Sequence, residues 1–545
     1  MADDAIAAAR RSVRGKVVML VDNDVQDDSR VQKQARSAAE AGWEVVLLGK
    51  SPDSERHTWA VGDATVLLIA VSRAMSRARH EFRRAPLRRP LAYAPGPLAR
   101  YRKQQVAARR IDLWQRRAVL ATGGPGNSGA RSSWEVARDR FLLGPAIFTN
   151  KVMGRWVRLR FRHSESLREA RAMMDRPLDR FTTAFWLAAM GDRAWRRLDP
   201  HLWDYEIAFG KVIDRLAPDL IHANDFRMLG VGARAVVRAR DKGRPVKLVW
   251  DAHEFLPGIK PWSAQLRWHP AQRAHEREYA PYADAVVTVS ETLADLLMAE
   301  HGLTVRPDVV LNTPSAQADL PDADPVPDIR ALCGIGTDDP LAVFSGAAAP
   351  QRGLGIMIEA LPRVPGLHVG LVVRRPESPY VRGLLATAQD LGVAERVHVL
   401  PYVTHDQVVP FLSSADIGVI PIHHWPNHEI ALITKFFEYS HARLPIVVSD
   451  VKTMAAMTRE TGQGEVFRAE DLDDYVRAVR AVLADPKRYR AVYDVPALLD
   501  GWTWEAQAAV LDGVYSRLVL GVADQPEPSD PRVEAGGTSG ARATA

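Results

Sequence analysis

The residue types best suited to chemistry fall into three groups along the chain. In Phe344-Ser-Gly-Ala-Ala-Ala-Pro-Gln-Arg-Gly-Leu-Gly355, an apolar strand end gives way to a small-residue loop and then to a helical pattern over Ile356 to Leu361. Such a junction leaves unpaired backbone N–H groups and the positive end of a helix facing outward, and Arg352 adds a full charge. It is built to hold a diphosphate. The second group is His428-Glu-Ile-Ala-Leu-Ile-Thr-Lys-Phe-Phe-Glu438-Tyr, followed by Ala442-Arg-Leu-Pro-Ile-Val-Val-Ser-Asp450. The third lies nearer the N-terminus. Asp27, Asp28 and Arg30 sit beyond a first apolar strand, while Asp225, Asp251, His253 and Glu254 follow later ones. His253 and Glu254 suit ligand binding or proton handling, with Asp225 beside them, and Asp28, Arg30 and Asp251 are expected to bind a second ligand in the same crevice. His222 reads as a satisfied buried histidine at a strand end.

Metal ligation is not the expected use of these groups. Asp22-Asn-Asp24 and Asp322-Ala-Asp324 have a D-x-D form, but one lies in the loop after the first strand and the other in a linker. His423, His424 and His428 with Glu429 have suitable ligand chemistry, yet their place beside the second group favours contacts to an organic ligand. No metal and no cofactor are expected.

The elements that position these residues alternate regularly. Lys16 to Val21 is a continuous apolar, β-branched run that breaks into polar Asp22 to Asp28, as a buried parallel strand does at its carboxyl end. Helical spacing follows over Ser29 to Ala41, stops at Gly42, and gives way to a strand at Trp43 to Leu48. Further strands are expected at Asp219 to His222, Val246 to Trp250 and Ala285 to Val289, with a helix over Gly230 to Arg240. A second series starts at Leu341 to Phe344 and continues through Val369 to Val373, Val397 to Leu400, Ile417 to Ile420 and Ile446 to Val448. The spacing predicts an α/β fold with two Rossmann-like domains, in which loops at the strand ends face one crevice. Domain limits are expected at 1–311 and 340–490, with a Pro-, Asp- and Ala-rich linker over 312–339 and a helix in 491–520. A disordered tail is expected over 521–545, and a largely helical arginine- and tryptophan-rich insertion over about 73–197, divided by the Gly-rich stretch 123–129.

A chain of 545 residues is long enough for two such cores. Its net charge of +6 and pI near 9.3 suggest anionic partners, although no nucleic-acid module accompanies the basic residues and nucleic acid is not expected. The single cysteine, Cys333, forms no intramolecular disulfide, which suits a reducing compartment. Met1 to Lys16 lacks the apolar core of a secretory signal, and Phe181 to Met190 is about half the ~20 residues of a bilayer crossing. A cytoplasmic location is expected, with any membrane contact peripheral.

Taken together, the motifs resemble those of the retaining family-4 type glycosyltransferases of GT-B fold. The stretch 428–450 is similar to that family's donor-site signature, and Arg352-Gly353-Leu354 to its phosphate loop. Asn23 to Val31 with Ala41 to Val45, Pro218 to Asp225, and Trp250 to Glu254 resemble its first domain. Trp502-Thr-Trp-Glu505 followed by Tyr515 is similar to the helix by which such chains return to that domain. The resemblance implies a nucleotide-sugar donor held by Gly346, Arg352, Gly353, Leu432, Lys435 and Glu438. Glu438 would bind the ribose hydroxyls, while Arg352 and Lys435 would neutralise the diphosphate. It implies transfer with retention to a glycan or lipid-linked acceptor, in synthesis of a cell-surface polysaccharide, glycolipid or related conjugate. Two positions depart from the pattern: Ile430 stands where the family often has a glutamate, and Ala347 where it often has an arginine. A nucleotide-sugar 2-epimerase of similar fold and a non-catalytic membrane-surface scaffold remain as alternatives. The insertion, with Arg83, Arg84, Arg88, Arg89, Trp114 and Trp156, suggests peripheral contact with an anionic membrane.

Overall fold

The computed structural model describes residues 14–26, 28–72, 74–75, 91–93, 98–122, 133–173, 177–259, 265–316, 326–404, 407–495 and 497–522. The chain divides into two compact units, one of Met1–Val71, Tyr205–Ile259 and His275–Ala545, the other of Ser72–Asp204 and Lys260–Ala274. Arg83, Arg84, Arg88, Arg89 and the Gly-rich stretch 123–129 lie outside the described residues, as do 523–545 of the expected tail.

The larger unit holds two sheets, each of the doubly wound type. The first comprises β1 (Lys16–Leu20), β2 (Glu44–Lys50), β3 (His57–Val61), β4 (Ala64–Ile69), β5 (Leu220–Asn224), β6 (Lys247–Ala252), β7 (Ala285–Thr288) and β8 (Asp308–Val309). Their order is β3-β4-β2-β1-β5-β6-β7-β8, parallel except for the β3/β4 hairpin. The second sheet, β9 (Leu341–Ser345), β10 (His368–Val372), β11 (Val397–Leu400), β12 (Ile417–Ile420), β13 (Ile446–Ser449) and β14 (Gly464–Phe467), runs β11-β10-β9-β12-β13-β14 and is all parallel. Both sheets wind outward in two directions from their first strand, so the loops after β1 and β5, and after β9 and β12, part at a switch point. Open parallel sheets bind ligands at that place.

Sequence accounts for these elements locally. Val17 to Leu20 are wholly buried because helices cover both faces of a parallel sheet. Asp28 caps the helix Ser29–Glu40 by accepting from the Val31 N–H, and Val31, Ala35 and Ala38 of that helix face the sheet. After β5 the helix begins at Asp225, five residues before the expected start at Gly230. The hairpin β3/β4, the two-residue β8 and the edge strand β14 have no counterpart in the sequence reading. The expected linker is also shorter. Asp328 caps a helix over Ile329–Cys333, and Ile329 and Cys333 are buried in the core around β9, β12 and β13.

The motif Trp502-Thr-Trp504 joins the two sheets. Trp502 meets the rings of Phe436 and Phe437 at 5.8 and 5.5 Å beside the second sheet. Trp504 belongs instead to the core of the first sheet, with Leu511, Val514 and Tyr515 of the helix Trp504–Val519. The smaller unit is helical in its described parts, with long helices at Leu98–Thr122, Ser133–Met173 and Pro177–Met190. Leu113 and Val157 are buried there, and the Arg160 guanidinium lies 4.0 Å from the Tyr93 ring centre.

One side chain in the second core carries a polar atom it cannot use. Tyr475 is fully buried, edge-on to Phe467 at 5.1 Å, and its hydroxyl has no hydrogen-bond partner among the described residues. Deleting an unsatisfied buried hydroxyl removes its desolvation cost and leaves the ring packing intact. Tyr475→Phe is therefore expected to leave stability unchanged or raise it by about 1 kcal/mol, read from the denaturant midpoint. A loss of 1 kcal/mol or more would mean that the hydroxyl is satisfied in solution.

Candidate active site

Below the carboxyl end of the first sheet lies one fully buried carboxylate, Asp251, the penultimate residue of β6. Arg30 grips both of its oxygens, Nη2 on Oδ1 at 3.0 Å and Nε on Oδ2 at 3.2 Å. Gln34 Nε2 donates at 2.6 Å and His253 Nε2 lies at 3.0 Å. Burial alone would raise this carboxyl's pKa, but Arg30 and His253 outweigh it and hold it well below the usual range. Behind it the Tyr515 hydroxyl, kept neutral by burial that raises its pKa well above the ordinary value, bonds His222 Nδ1 at 2.7 Å. His222 Nε2 lies 3.4 Å from Asp251 Oδ2, a long contact to an ionised acceptor, and a proton on Nε2 leaves Nδ1 to accept from the tyrosine. His222 is thus the buried, partnered histidine expected from the sequence.

Asp251 and Arg30 therefore differ from the role expected of them. Asp251 is completely enclosed and its oxygens are engaged, so it orients other side chains and does not touch an acceptor. Arg30 reaches the cavity wall, but its guanidinium is committed to Asp251 and to the Val310 carbonyl at 2.8 Å.

What Asp251 holds in place is His253. Burial would lower this imidazole's pKa, but the Asp251 and Asp225 carboxylates more than reverse that and raise it to about 9. Its Nδ1 lies 3.8 Å from Asp225 Oδ1. Asp225 opens the helix Asp225–Asp241 with φ +63, a left-handed backbone costly for a residue with a Cβ. Its carboxyl is about a third exposed, yet protein surrounds it on the wider scale that governs solvation, and this desolvation raises its pKa to about 7. Glu254 is raised as well, by burial against the pull of His253 and Arg227. Asp22 of the D-x-D sequence is paired with Arg227, and Asp28 bonds Asn23 Nδ2 at 2.8 Å. Asp27 lies outside the described residues.

On the donor side, Gly346 has φ +139, and a Cβ there would fall 2.5 Å from Lys435 Cε. The absent side chain lets the lysine stem lie against the loop. Gly353 has φ +66, and a Cβ there would sit 2.0 Å from the Pro421 carbonyl oxygen, so only glycine fits between the β9 and β12 loops. Arg352 is largely desolvated, which lowers its pKa, and no carboxylate offsets that among the described residues. Glu438 lies one turn after Lys435 on the helix Thr434–His441, so the two share a face. It is 8% exposed, and its Oε2 has no hydrogen-bond partner among the described residues.

A cavity of about 440 Å³ brings both sides together, with Asp28, Arg30, His253 and Glu254 facing Arg352, Leu432 and Lys435. Gly346, Gly353, Glu438, Asp225 and Asp251 are not on its wall, although the contacts above tie them to residues that are. Ala347 lines it, and Ile430 is buried with its carbonyl accepting from Ser290 Oγ at 2.7 Å. Glu429 is turned toward His424 at 2.6 Å and the Lys452 N–H at 2.8 Å.

One buried cation near this site has no place in the sequence reading. Lys33, three positions after Arg30 on the same helix, is buried and its ammonium bonds Asn312 Oδ1 at 3.0 Å. Burial and Arg30 lower its pKa to about 7, against the pull of Glu438. It stands on the side of the helix away from sheet-facing Val31, Ala35 and Ala38, with its ammonium 4.7 Å from the Trp504 ring centre, a burial that helical spacing alone does not signal.

The Asp225 and His253 values fix a pH window. Asp225 is a carboxylate above about 7 and His253 stays protonated below about 9. The ion pair is therefore the dominant form between those limits, and kcat/KM is expected to rise through the first and fall through the second. Asp225→Asn should remove the acid limb and move the alkaline limb to lower pH, because it deletes one of the two charges that raise His253. It should also lower kcat/KM by about 10²–10⁴-fold. An unchanged profile in this variant would separate the pair from the rate.

The family described as glycosyl transferases group 1 matches residues 326–494, and glycosyltransferase family 4 matches residues 185–313, together more than half of the chain. Among curated relatives, a D-inositol 3-phosphate glycosyltransferase of Mycobacteroides abscessus is 24% identical over 52% of this chain and 68% of its own length. A GDP-mannose-dependent alpha-(1-6)-phosphatidylinositol monomannoside mannosyltransferase of Mycolicibacterium smegmatis is 28% identical over 45% of this chain and 66% of its own length. The solved structure of sucrose-phosphate synthase from Thermosynechococcus elongatus, 14% identical, aligns with 93% of this chain and 100% of its own at a TM-score of 0.56. With two parallel doubly wound sheets and a shared site at their strand ends, the chain belongs to the family 4, group 1 glycosyltransferases of GT-B fold and is an enzyme of that kind.

Proposed function

We propose that this glycosyltransferase moves a sugar from a nucleotide-sugar donor to a hydroxyl of a glycolipid or related glycan acceptor, with retention and without a metal, in the cytoplasm. The observation that carries the reading is the pairing of unmet needs on the donor side: a desolvated Arg352 without a carboxylate, and a buried Glu438 oxygen without a donor. A nucleoside diphosphate answers both, offering anionic oxygens to the one and ribose hydroxyls to the other. The relatives' names add that proteins of this kind use GDP-mannose and act on inositol-containing acceptors. Retention rests on the resemblance of residues 428–439 to the family signature.

In this reading Arg352, Lys435 and the loop from Gly346 to Gly353 meet charge as it develops on the departing diphosphate, so they do most of their work in the transition state. The bond from the anomeric carbon to the diphosphate oxygen breaks as one to the acceptor oxygen forms. The acceptor's hydroxyl proton passes to the Asp225 carboxylate, which His253, held charged by Asp251, keeps ionised near neutrality. Glu254 and Asp28 line the acceptor side of the cavity.

Glu438→Ala is expected to leave the fold intact and lower kcat/KM with the matching donor by about 100-fold or more, as two charge-assisted hydrogen bonds are lost. Calorimetry should show the same loss in binding of the free nucleoside diphosphate. Near-full transfer by the folded variant would remove Glu438 from the site. Transfer should also persist in excess chelator, and a complete loss restored by a divalent ion would overturn the metal-independent mechanism.

A further inference from the structure

The helix Ser133–Met173 exposes an apolar stripe that no described residue covers. Trp134, Phe141, Phe148, Val152, Trp156 and Leu159 recur at spacings of seven, seven, four, four and three, which keeps them on one face of an α-helix. Phe141 is 77% exposed, Trp134 73% and Phe148 67%, far beyond what a packed helix face leaves in water. At about 1.5 Å per residue the stripe is roughly 38 Å long. Cations border it: Lys151, Arg155, Arg158 and Arg162 are all exposed on the adjoining face. From Arg140 to Ser164 the sequence holds six lysines and arginines and no acidic residue. Near one end Trp156 and Leu159 share a shallow depression of about 590 Å³ with Arg155, Arg158 and Arg162. The helix is too interrupted by charge to cross a bilayer, and no described helix is long and apolar enough to do so.

We infer that this stripe is a docking surface for an anionic lipid bilayer, on which the helix lies in the plane of the headgroups. The aromatic rings enter the headgroup region while the flanking guanidinium groups meet lipid phosphates, as tryptophans and arginines do at a membrane interface. A second copy of the chain fits less well. Beside the six cations of 140–164 the helix offers carboxylates only beyond the ends of that stretch, Glu135, Asp139 and Glu165 among them, so paired copies leave most of the positive charge unmatched, whereas an anionic lipid surface supplies complementary charge along the whole cationic stretch. The lipid character of the acceptor rests on the function proposed above, but the docking itself needs neither donor nor turnover.

The test is sedimentation of the full-length protein, without donor, with vesicles of phosphatidylcholine alone or containing about a third phosphatidylglycerol. Binding to the anionic vesicles only, with release in high salt, is expected, because the attraction is screened within a Debye length of about 3 Å at 1 M salt. The triple variant Arg155→Gln, Arg158→Gln, Arg162→Gln should lower the partition coefficient by about 100-fold, three surface charges each contributing about fivefold. Phe141→Ser with Phe148→Ser should lower it as well, at unchanged circular dichroism and unchanged nucleoside diphosphate binding. The inference falls if the wild type stays in the supernatant at low salt, or binds neutral and anionic vesicles equally. It falls too if the wild type elutes as a dimer that the phenylalanine variant dissociates. Vesicle binding by a protein indifferent to Glu438→Ala would overturn the donor site alone, and transfer without vesicle binding would overturn the docking surface alone.

Discussion

A carboxylate sealed from water is tolerable only when the charges and donors around it offset what it loses in hydration, and the acceptor side of this enzyme is organised around one such group. Asp251 sits at the end of a central strand with no solvent contact, and Arg30, Gln34, His253 and His222 all converge on it. They come from three places: Arg30 and Gln34 from the first helix, His222 from β5, His253 from the loop after β6. Register does part of the work, since β5 and β6 run in parallel with Asn224 opposite Asp251 and so end at one level. The dependence is mutual. Removing Arg30 would strand a buried anion, and removing Asp251 would release the imidazole that faces Asp225.

The network also ties the cleft to the end of the chain. Tyr515, on the helix that closes the first core, bonds His222 through its hydroxyl, and Trp502, just before that helix, is packed beneath the donor helix by Phe436 and Phe437. The segment 502–515 therefore touches the supports of both halves of the site without entering the cavity. In chemical terms the two halves are opposite. The acceptor side is rich in charges already balanced against one another, whereas on the donor side Arg352 and Glu438 are left for a ligand to satisfy.

Much of this was legible in the sequence, for identifiable reasons. Buried parallel strands are continuous apolar runs, so β1, β5, β6 and most of the second sheet announce themselves in composition, and the site loops follow at their ends. The hairpin β3/β4, the two-residue β8 and β14 did not. Edge or very short strands need no long apolar run, and Gly464-Glu-Val-Phe467 is half polar. The donor residues were expected from the resemblance of 428–450 and of the Arg352 loop to the family signature, and the 2.5 Å approach of Lys435 to a Cβ at Gly346 gives one of those glycines a steric reason. Asp251 was misread because depth is invisible in sequence. A carboxylate one residue before the strand ends looks the same whether it faces solvent or the side chains of Arg30, Gln34, His222 and His253. Lys33 was missed for the same reason.

Of the two departures from the family pattern, Ile430 follows from how the short helix Pro426–Ile430 is anchored. At residue 430 the side chain is buried and the backbone carbonyl is held by Ser290 from the other sheet, while Glu429 is drawn away by His424 and the N–H of Lys452. A glutamate at 430 would bring a charge into an apolar setting beside this anchor. The position has become a contact between the two domains, and the carboxylate beside it has become a support for the loop. With Ala347 leaving its part of the cavity wall uncharged, the proposed function assigns recognition of the diphosphate to Arg352 and Lys435, and a sugar in the cavity would meet a wall formed in part by Ala347, Leu432 and Ala431. Selectivity for the sugar should then come more from shape than from charge. An apolar wall separates sugars that differ by a methylene-sized group by only about 1–3 kcal/mol, so this site is expected to discriminate strongly by nucleotide and loosely by sugar.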